Sequence, residues 1–208
     1  VLPDTAIDKE AAHRSTSTYL VERRLDMLPG LLTTELCSLR SGEDHLSFSV
    51  LWEMTPDAQI VDASFHKSVI HSAASLTYDE AQAILDSNEK YGHENTSKES
   101  GVNLSVMGLA RIARILRKRR IEHGALTLAS PEVRFRLDSE TQNPTDVGAY
   151  ALKEANAVVE EFMLLANITV SKKILRHFPT LGVLRRHPSP SKEQFTPLLN
   201  AARAVGVN

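Results

Sequence analysis

The longest helical pattern in the sequence runs from about Val147 to Phe178, and it constrains the fold more than any other feature. Apolar residues recur along it at three- and four-residue steps, the spacing of one buried helical face. These residues are Leu152, Ala155, Val159, Phe162, Met163, Ala166, Val170 and Ile174. Most of the stability of such a helix comes from covering its apolar face, so we expect the chain to fold around it.

Two adjacent carboxylates, Glu160 and Glu161, lie within this pattern. They differ by about 100° around a helix of about 3.6 residues per turn, so they cannot share one environment. One of them must lie nearer the apolar face than an ordinary surface glutamate does. An acidic group in that position needs a cap, a cation or a ligand. The alternative interpretation is a solvated pair at the edge of the face, and periodicity leaves both open.

Composition indicates an ordinary globular protein of one large domain or two small ones. The chain has 208 residues, of which 42% are hydrophobic and 24% charged, and its net charge is −2. The single cysteine, Cys37, excludes an intrachain disulfide and fits a reducing compartment. No apolar run reaches the roughly 18 residues of a membrane span. The start at Val1, without a Met or a signal-peptide pattern, predicts a piece of a longer chain.

The first part of the chain reads as short helices around a β-hairpin. An alternating run at 44–54, a Thr55–Ala58 turn and an extended run at 59–71 predict the hairpin. Thr77 with Glu80 is a capping box that opens a helix to about Leu85. Shorter predictions are a helix at 6–13, an extended segment at 15–21 and a helix at 31–39.

The second part begins with a polar stretch at 86–103, which we interpret as a mobile surface insertion. A strong helix follows at 103–123. The further predictions are strands at 126–128, 133–137 and 181–187, and a closing helix at 192–205. This order of elements argues for an α+β fold, with a mixed or antiparallel sheet packed by long helices.

The helix at 103–123 carries the one dense basic run of the sequence. Its apolar stripe includes Leu109, Ile112 and Leu116, and the opposite face is basic. The basic residues are Arg111, Arg114, Arg117, Lys118, Arg119 and Arg120. This face is either a solvated surface or a phosphate-contacting one, where arginine and lysine provide affinity without sequence choice.

Standard catalytic motifs are missing from the sequence. It contains no glycine-rich phosphate loop, no G-x-S-x-G turn and, with one cysteine, no Cys/His zinc spacing. His66 and His71 lie five residues apart in a strand pattern, which places them on opposite faces. We therefore predict no metal ligands within the chain, and residue chemistry alone does not identify a function.

Ordered sequence blocks resemble the ribonuclease II–like (RNB) exoribonucleases, and the likeness is closest to their exosome-associated eukaryotic branch. The resemblance covers nearly the whole chain except the polar insertion, and the blocks occur in the family's order. They are Arg14–Pro29 with Leu36–Leu39, Ser75–Gln82, Arg119–Leu126, Ser130–Phe135 and Val159–Asn167.

The resemblance implies that residues 1–208 are the central portion of one RNB catalytic domain. The family hydrolyses single-stranded RNA processively from the 3′ end, releases nucleoside 5′-monophosphates and uses Mg²⁺. Its aspartate motif, D-x5-D-x-D-D, and its catalytic arginine motif are expected outside this chain, so this piece alone is expected to be inactive. The resemblance also implies exosome core subunits as partners of the parent protein, in nucleus and cytoplasm, and no membrane association.

The resemblance assigns roles to three residues. It implies that Tyr19 stacks on RNA bases, that Tyr78 orients the 3′-terminal nucleotide and that Glu160 lies near the terminal ribose. A carboxylate there can accept a hydrogen bond from the 2′-OH, the group that distinguishes RNA from DNA. Glu161 is the alternative if the register differs by one residue. Leu128 stands where bacterial members have a second stacking aromatic residue, so the base clamp differs on that side.

The predicted site therefore has two parts. Tyr78 and Glu160 form the predicted catalytic set. Tyr19 and three residues of the basic helix, namely Arg117, Arg119 and Arg120, form the predicted RNA-binding set. A non-catalytic RNA-binding or scaffold protein built on the same fold is the alternative function. The aspartates of the missing upstream motif would distinguish the two, because only an enzyme needs them.

Overall fold

The computed structural model describes residues 1–20, 23–91, 101–126, 133–137, 144–149, 152–186 and 188–207. The chain combines helices with antiparallel strand pairs, as the α+β prediction requires. It divides into two compact units, Val1–Ala166 and Asn167–Asn208.

The helices and strands follow one another in this order: α1 Ala6–Arg14, β1 Thr18–Tyr19, β2 Arg24–Leu25, a π-helical turn Leu31–Leu36, β3 Asp44–Met54, β4 Ile60–His71, α2 Tyr78–Tyr91, α3 Gly101–Glu122, β5 Val133–Leu137, β6 Pro144–Ala149, α4 Glu154–His177 and α5 Lys192–Ala204. The described strands form three two-stranded antiparallel sheets, β1–β2, β3–β4 and β5–β6.

The π-helical turn replaces part of the helix predicted at 31–39. Its bond from the Cys37 amide to the Leu32 carbonyl, at 2.9 Å, spans five residues and closes the wider π turn. The Thr34 hydroxyl donates to the Gly30 carbonyl at 2.7 Å at the start of this turn. The helix prediction was therefore too long, because the helical turn ends at Leu36.

The predicted hairpin is confirmed as β3 and β4. The strands pair in register from Asp44 with His71 to Glu53 with Asp62, and a bulge follows Glu53. Ala58 in the connecting turn is only 2% exposed and adopts a left-handed φ of 59°. The Arg119 side chain of α3 donates to the carbonyl oxygens of Asp57 and Ala58, the latter at 2.9 Å. This arginine fastens the hairpin turn to α3.

In the first half of β3, as far as Ser49, the exposed face is apolar and the half-buried face is polar, the reverse of what hydrophobicity alone indicates. Leu46 and Phe48 are 83% and 69% exposed, whereas Ser47 and Ser49 are half-buried. The hydroxyls of Ser47 and Ser49 lie 2.8 and 2.6 Å from the Ser68 hydroxyl of β4. The serine face is thus satisfied by its own cross-strand hydrogen bonds.

Helix α2 begins with the predicted capping box. The Thr77 amide donates to a Glu80 carboxylate oxygen at 2.7 Å, and the Glu80 amide donates to the Thr77 hydroxyl at 3.2 Å. The helix extends beyond Leu85 to Tyr91, and α3 begins at Gly101. The predicted insertion at 86–103 therefore begins and ends in helix, because polar residues are compatible with a solvated helical face. Residues 92–100 lie outside the described residues.

The capping box predicts a pH dependence of the start of α2. Hydrogen bonds from the Thr77 amide and hydroxyl lower the pKa of Glu80 below its ordinary value. The stabilisation is fully present above the unfolded glutamate pKa of about 4.3, and it is lost as pH falls through the lower folded-state pKa. Carbon-13 titration of the Glu80 carboxyl group should show the lowered pKa directly.

The control for this prediction is Thr77→Ala, which removes the hydroxyl donor and keeps the amide. Its Glu80 pKa is expected to move part of the way back to the ordinary value. Loss of the threonine cap is expected to cost about 1 kcal/mol in the free energy of unfolding. A titration that is the same in both proteins would contradict the role of the hydroxyl.

Helix α4 begins at Glu154, so the predicted start near Val147 was wrong. Residues 144–149 instead form β6, which pairs with β5 from Val133 opposite Ala149 to Leu137 opposite Pro144. Pairing with β5 stabilises this segment as a strand, although its apolar residues also fit a helical spacing. The periodicity of the sequence contains no information about such pairing. Of the predicted strand at 126–128, Leu126 lies in no strand, and the other two residues lie outside the described residues.

Among the described residues of the first unit, the buried apolar positions are few and mainly alanine. They are Ala58, Leu85, Ala110, Ala113, Ala155 and Ala157. Trp52 of β3 and Phe162 of α4 add a tilted aromatic contact, with ring centroids 6.4 Å apart. The hairpin, α3 and α4 therefore meet around the segment that contains Glu160.

The second unit contains the end of α4 and the helix α5. The closing helix predicted at 192–205 is confirmed as Lys192–Ala204, and the Gln194 side chain accepts from the Ser191 amide at 2.8 Å at its start. The strand predicted at 181–187 was wrong, because residues 181–186 form no strand and His187 lies outside the described residues. No described strand of this unit offers these residues a pairing edge.

Candidate functional site

The start of α4 is fastened to α2 and α3 by polar side chains. Gln82 of α2 accepts from the Ala155 amide at 3.0 Å, which satisfies one of the amides that a helix start leaves free. Lys153 pairs with Asp79 of α2. Arg114 of α3 grips Glu154 with two nitrogens, of which Nη2 lies 2.9 Å from Oε2. These contacts fix the position of the helix that carries Glu160.

Arg120 of α3 binds both adjacent glutamates of α4. Its Nη2 donates to Oε1 of Glu160 at 2.8 Å and to Oε1 of Glu161 at 2.7 Å. Its Nε also donates to Oε1 of Glu161, at 3.1 Å. The guanidinium of Arg120 therefore binds both carboxylates, although adjacent residues of a helix point in directions about 100° apart.

The two glutamates have different surroundings, as their angular separation requires. Glu161 is 4% exposed, whereas the Glu160 side chain is 46% exposed. The solvated-pair interpretation is therefore wrong for Glu161, and the reason for its burial is a cation. The hydrogen bond from Arg120 to Glu161 in turn raises the pKa of the Arg120 guanidinium above its ordinary value.

Tyr78, the first residue of α2, lies at the mouth of an apolar cavity. Its side chain is 44% exposed. The cavity has a volume of about 220 Å³ and lies between α2, α3 and α4. Its lining consists of Leu76, Thr77, Tyr78, Ala81, Leu85, Val106, Leu109, Ala155, Val158 and Val159. Glu160 does not line this cavity, but Val159, which directly precedes it, does. We call α2, α3 and the start of α4, which surround the cavity, the three-helix cluster.

Tyr19 lies apart from this cavity in the local structure. It belongs to β1, opposite Arg24 of β2, and its side chain is 76% exposed. It is not among the residues that line the cavity beside Tyr78. An aromatic ring this exposed is free to stack, but the structure does not join it to the three-helix cluster.

The arginines of α3 have several environments. Arg119 and Arg120 bind acceptors within the chain, namely the hairpin turn and the two glutamates. Arg117 lines a smaller cavity of about 60 Å³ with Arg114 and Glu154, and it makes no ion pair within the described residues. The basic face therefore also fastens α3 to its neighbours, a role that charge counting did not predict.

The described residues do not fit a metal site. Among them, no group of three or more His, Cys, Asp or Glu side chains could hold a metal ion. The described residues therefore supply no set of ligands for Mg²⁺. Separately, none of the helices in the described ranges has the length and hydrophobicity that crossing a bilayer demands.

Several residues of the site escaped the sequence analysis. The sequence predicts that one of Glu160 and Glu161 lies nearer the apolar face but not which one, and it predicts Arg120 only as an RNA contact. Gln82 and Lys153 drew no attention because nothing in their local pattern marks them. The signal in the sequence was the pair Glu160 and Glu161 on an apolar helix, together with a separate basic helix. This signal indicated that a cation would pair with a glutamate, but not which arginine would supply it.

Comparison with known protein families gives one match over nearly the entire chain. The family model described as the RNB domain matches residues 1–207. Among curated proteins, the Exosome complex exonuclease RRP44 homolog A of Arabidopsis thaliana is 48% identical over 207 residues, which are 100% of this chain and 21% of that protein. The Exosome complex exonuclease RRP44 of Homo sapiens is 49% identical over 204 residues, 98% of this chain and 20% of that protein. The chain spans about a fifth of the length of these relatives.

Solved structures share the fold at lower identity. Mycoplasma genitalium RNase R in complex with ribose methylated single-stranded RNA matches with a TM-score of 0.86 and 22% identity, over 100% of this chain and 31% of that one. Yeast Ssd1, described as a pseudonuclease, matches with a TM-score of 0.71 and 19% identity, over 99% of this chain and 24% of that one. At these identities the likeness establishes the fold alone.

Proposed function

Because the chain belongs to the RNB domain family, we propose that it is the central portion of the catalytic domain of a 3′–5′ exoribonuclease. The whole protein would act processively on single-stranded RNA by hydrolysis and release nucleoside 5′-monophosphates. The observation that carries this proposal is the family match over residues 1–207, together with exonuclease relatives that are 48% and 49% identical. This chain would supply one wall of the active site.

The three-helix cluster supports specific roles for Glu160 and Tyr78 in this reaction. Glu160 is half-exposed on a helix that is fastened at its start, so its carboxylate is positioned to accept a hydrogen bond from a terminal 2′-OH. Tyr78 lies beside the same segment of α4 and would orient the 3′-terminal nucleotide. Neither residue needs to move a proton in this proposal, because both act by binding.

Tyr19 and the basic helix would contact the RNA upstream of its 3′ end. Stacking of bases on Tyr19 tolerates any sequence and is worth about 1–3 kcal/mol per base, which suits a processive enzyme. Arg117 has no ion pair within the described residues and is the best placed of the three predicted arginines to contact phosphate. For Arg119 and Arg120 the predicted RNA contact would compete with the acceptors they already bind.

The remaining parts of the active site would lie outside these 208 residues. The proposal requires Mg²⁺ held by the family's aspartate motif, and a catalytic arginine from its later motif. Relatives named as exosome exonucleases support the exosome core as a partner of the whole protein. We propose that the whole protein acts in nucleus and cytoplasm. Co-purification of the full-length protein with the exosome core would test the partner directly.

The test of the proposed activity uses the full-length protein and a single-stranded RNA labelled at its 5′ end. We expect stepwise shortening from the 3′ end with release of nucleoside 5′-monophosphates, and we expect chelation of Mg²⁺ to stop it. A protein that binds the RNA but releases no monophosphate would overturn the activity.

A non-catalytic RNA-binding protein is the second candidate, because a structure described as a pseudonuclease shares this fold. The two candidates differ in the upstream aspartate motif, which hydrolysis requires and binding does not. Sequencing the encoded residues before Val1 would separate them. Four intact aspartates favour the enzyme, and substituted aspartates favour the binding protein.

Charge reversal at Arg117 tests the proposed phosphate contact. In the full-length protein, Arg117→Glu is expected to weaken binding of single-stranded RNA, because it removes one cation from the phosphate path. The slope of log affinity against log salt should fall in magnitude by about 0.7 for each phosphate that the protein no longer neutralises. Fluorescence anisotropy at several salt concentrations measures both quantities.

The matched control for this prediction is Lys192→Glu, the same charge change on the exposed start of α5. It is expected to leave the affinity and the salt slope close to those of the unmodified protein. Equal effects of the two substitutions would indicate net charge rather than a contact made by Arg117.

A further inference from the structure

We infer that the ion pair between Arg120 and Glu161 is a positioning device that presents Glu160 to the 3′-terminal ribose, and thereby sets the preference for RNA ends over 2′-deoxy ends. This inference rests on the proposed function. It adds two positioning residues to a site for which the sequence indicated only one carboxylate. Neither Arg120 nor Glu161 would touch the substrate in this role.

Arg120 binds one carboxylate oxygen of Glu160 and one of Glu161. Its Nη2 lies 2.8 Å from Oε1 of Glu160 and 2.7 Å from Oε1 of Glu161. Within the described residues, Oε1 is the one oxygen of Glu160 with a hydrogen-bond partner. The carboxylate is therefore held on one side and retains Oε2 as an acceptor for an incoming hydroxyl.

The side chain of Arg120 is in turn held by the buried Glu161. Glu161 is 4% exposed and receives two of the guanidinium's hydrogen bonds, at 3.1 and 2.7 Å. A buried charge needs a paired and hydrogen-bonded partner, so Glu161 fixes the fork of Arg120 in one orientation. The buried glutamate thus orients the exposed one through the shared guanidinium.

A glutamate side chain that is not held in one rotamer adds to the free-energy cost of binding the substrate. A free glutamate side chain samples several rotamers, and ordering it on substrate binding costs about 0.5–1.5 kcal/mol. Arg120 removes that cost before the RNA arrives. A guanidinium suits this role because its planar fork binds two carboxylates at fixed angles, whereas lysine offers a point charge.

The test uses the full-length protein carrying Arg120→Met with Glu161→Met, which removes the buried carboxylate together with its cation and leaves Glu160 in place. Two substrates are compared, a single-stranded RNA and the same RNA with a 2′-deoxy 3′-terminal nucleotide. The readout is the ratio of the single-turnover rates at which the first nucleotide is released. We expect the variant to show a ratio about two- to tenfold lower than that of the unmodified protein.

The matched control is Arg40→Met with Glu35→Met, an ion pair outside α3 and α4. It should leave the ratio unchanged, because it holds neither Glu160 nor the helix that carries Glu160. A second variant, Arg120→Lys, keeps the charge and loses the fork. Its ratio is expected to fall between those of the unmodified protein and the double variant.

Different results would overturn the two proposals. If the unmodified protein prefers the ribose end and the Arg120 and Glu161 double variant prefers it equally, the positioning role is overturned and the proposed activity stands. A ratio of one in the unmodified protein overturns the positioning role as well. If the unmodified protein releases no monophosphate from either substrate, the proposed function itself fails before any variant is compared.

Discussion

Replacing Arg120 with methionine is expected to lower the free energy of unfolding by about 3 kcal/mol, toward the lower end of the cost of leaving a buried charge unpaired. Glu161 is 4% exposed, and within the described residues its hydrogen bonds come from Arg120. Methionine fills a similar volume and donates nothing. Urea denaturation, analysed with a common slope for both proteins, measures the difference.

Two further variants show whether the burial of Glu161 causes the loss of stability in Arg120→Met. Arg114→Met breaks an ion pair whose acceptor, Glu154, has a 29% exposed side chain, and should cost no more than about 1 kcal/mol. Adding Glu161→Met to Arg120→Met removes the stranded charge and should recover most of the lost stability. If the single and double variants are equally unstable, the loss comes from packing and not from charge.

Replacing Glu160 with alanine in the full-length protein is expected to reduce the preference for a 3′-terminal ribose by about 10- to 100-fold. Hydrogen bonds to charged groups contribute about 1.5–3 kcal/mol, and about 1.4 kcal/mol corresponds to a factor of ten. The free energy of unfolding should change little, because the Glu160 side chain is 46% exposed. The measurement is the ratio of first-nucleotide release rates for ribose and 2′-deoxyribose ends.

Met163→Ala is the control for this substitution, since Met163 lies almost one turn further along α4 and is 54% exposed. It should leave the preference for ribose ends intact. An unchanged preference in Glu160→Ala would remove Glu160 from contact with the 2′-OH. Glu161 would not replace it as the contact, because a residue that is 4% exposed cannot meet a substrate without rearrangement.

Elements with short-range signals could be predicted from the sequence, whereas those that depend on a distant strand could not. The hairpin and the capping box were predicted because their signals are short-range: alternation around a turn, and a threonine three residues before a glutamate. The start of α4 was misplaced because residues 144–149 fit a helical spacing but pair with 133–137. Which of two compatible periods is realised depends on a partner strand, and that is a long-range property.

The site shows the same division. The sequence, through its ordered resemblance, indicated Tyr78 and Glu160, and the structure places Tyr78 and the residue before Glu160 around one cavity. It could not indicate that Arg120 would bind both glutamates, because α3 and α4 are about 40 residues apart along the chain. Six neighbouring basic residues look alike in a sequence, and only the packing of two helices selects among them.

The sequence by itself determined that the chain has an α+β fold, that its longest helical pattern carries two adjacent carboxylates that cannot share one environment, and that it resembles the RNB exoribonucleases. Periodicity and ordered motifs are sufficient for these conclusions, because they depend on neighbouring residues and on order. Tertiary structure alone decided that Glu161 is the buried member, that Arg120 compensates its charge and that Glu160 remains half-exposed. The physical reason is that a buried charge is stable only beside a specific cation, and the position of that cation is set by how α3 packs on α4.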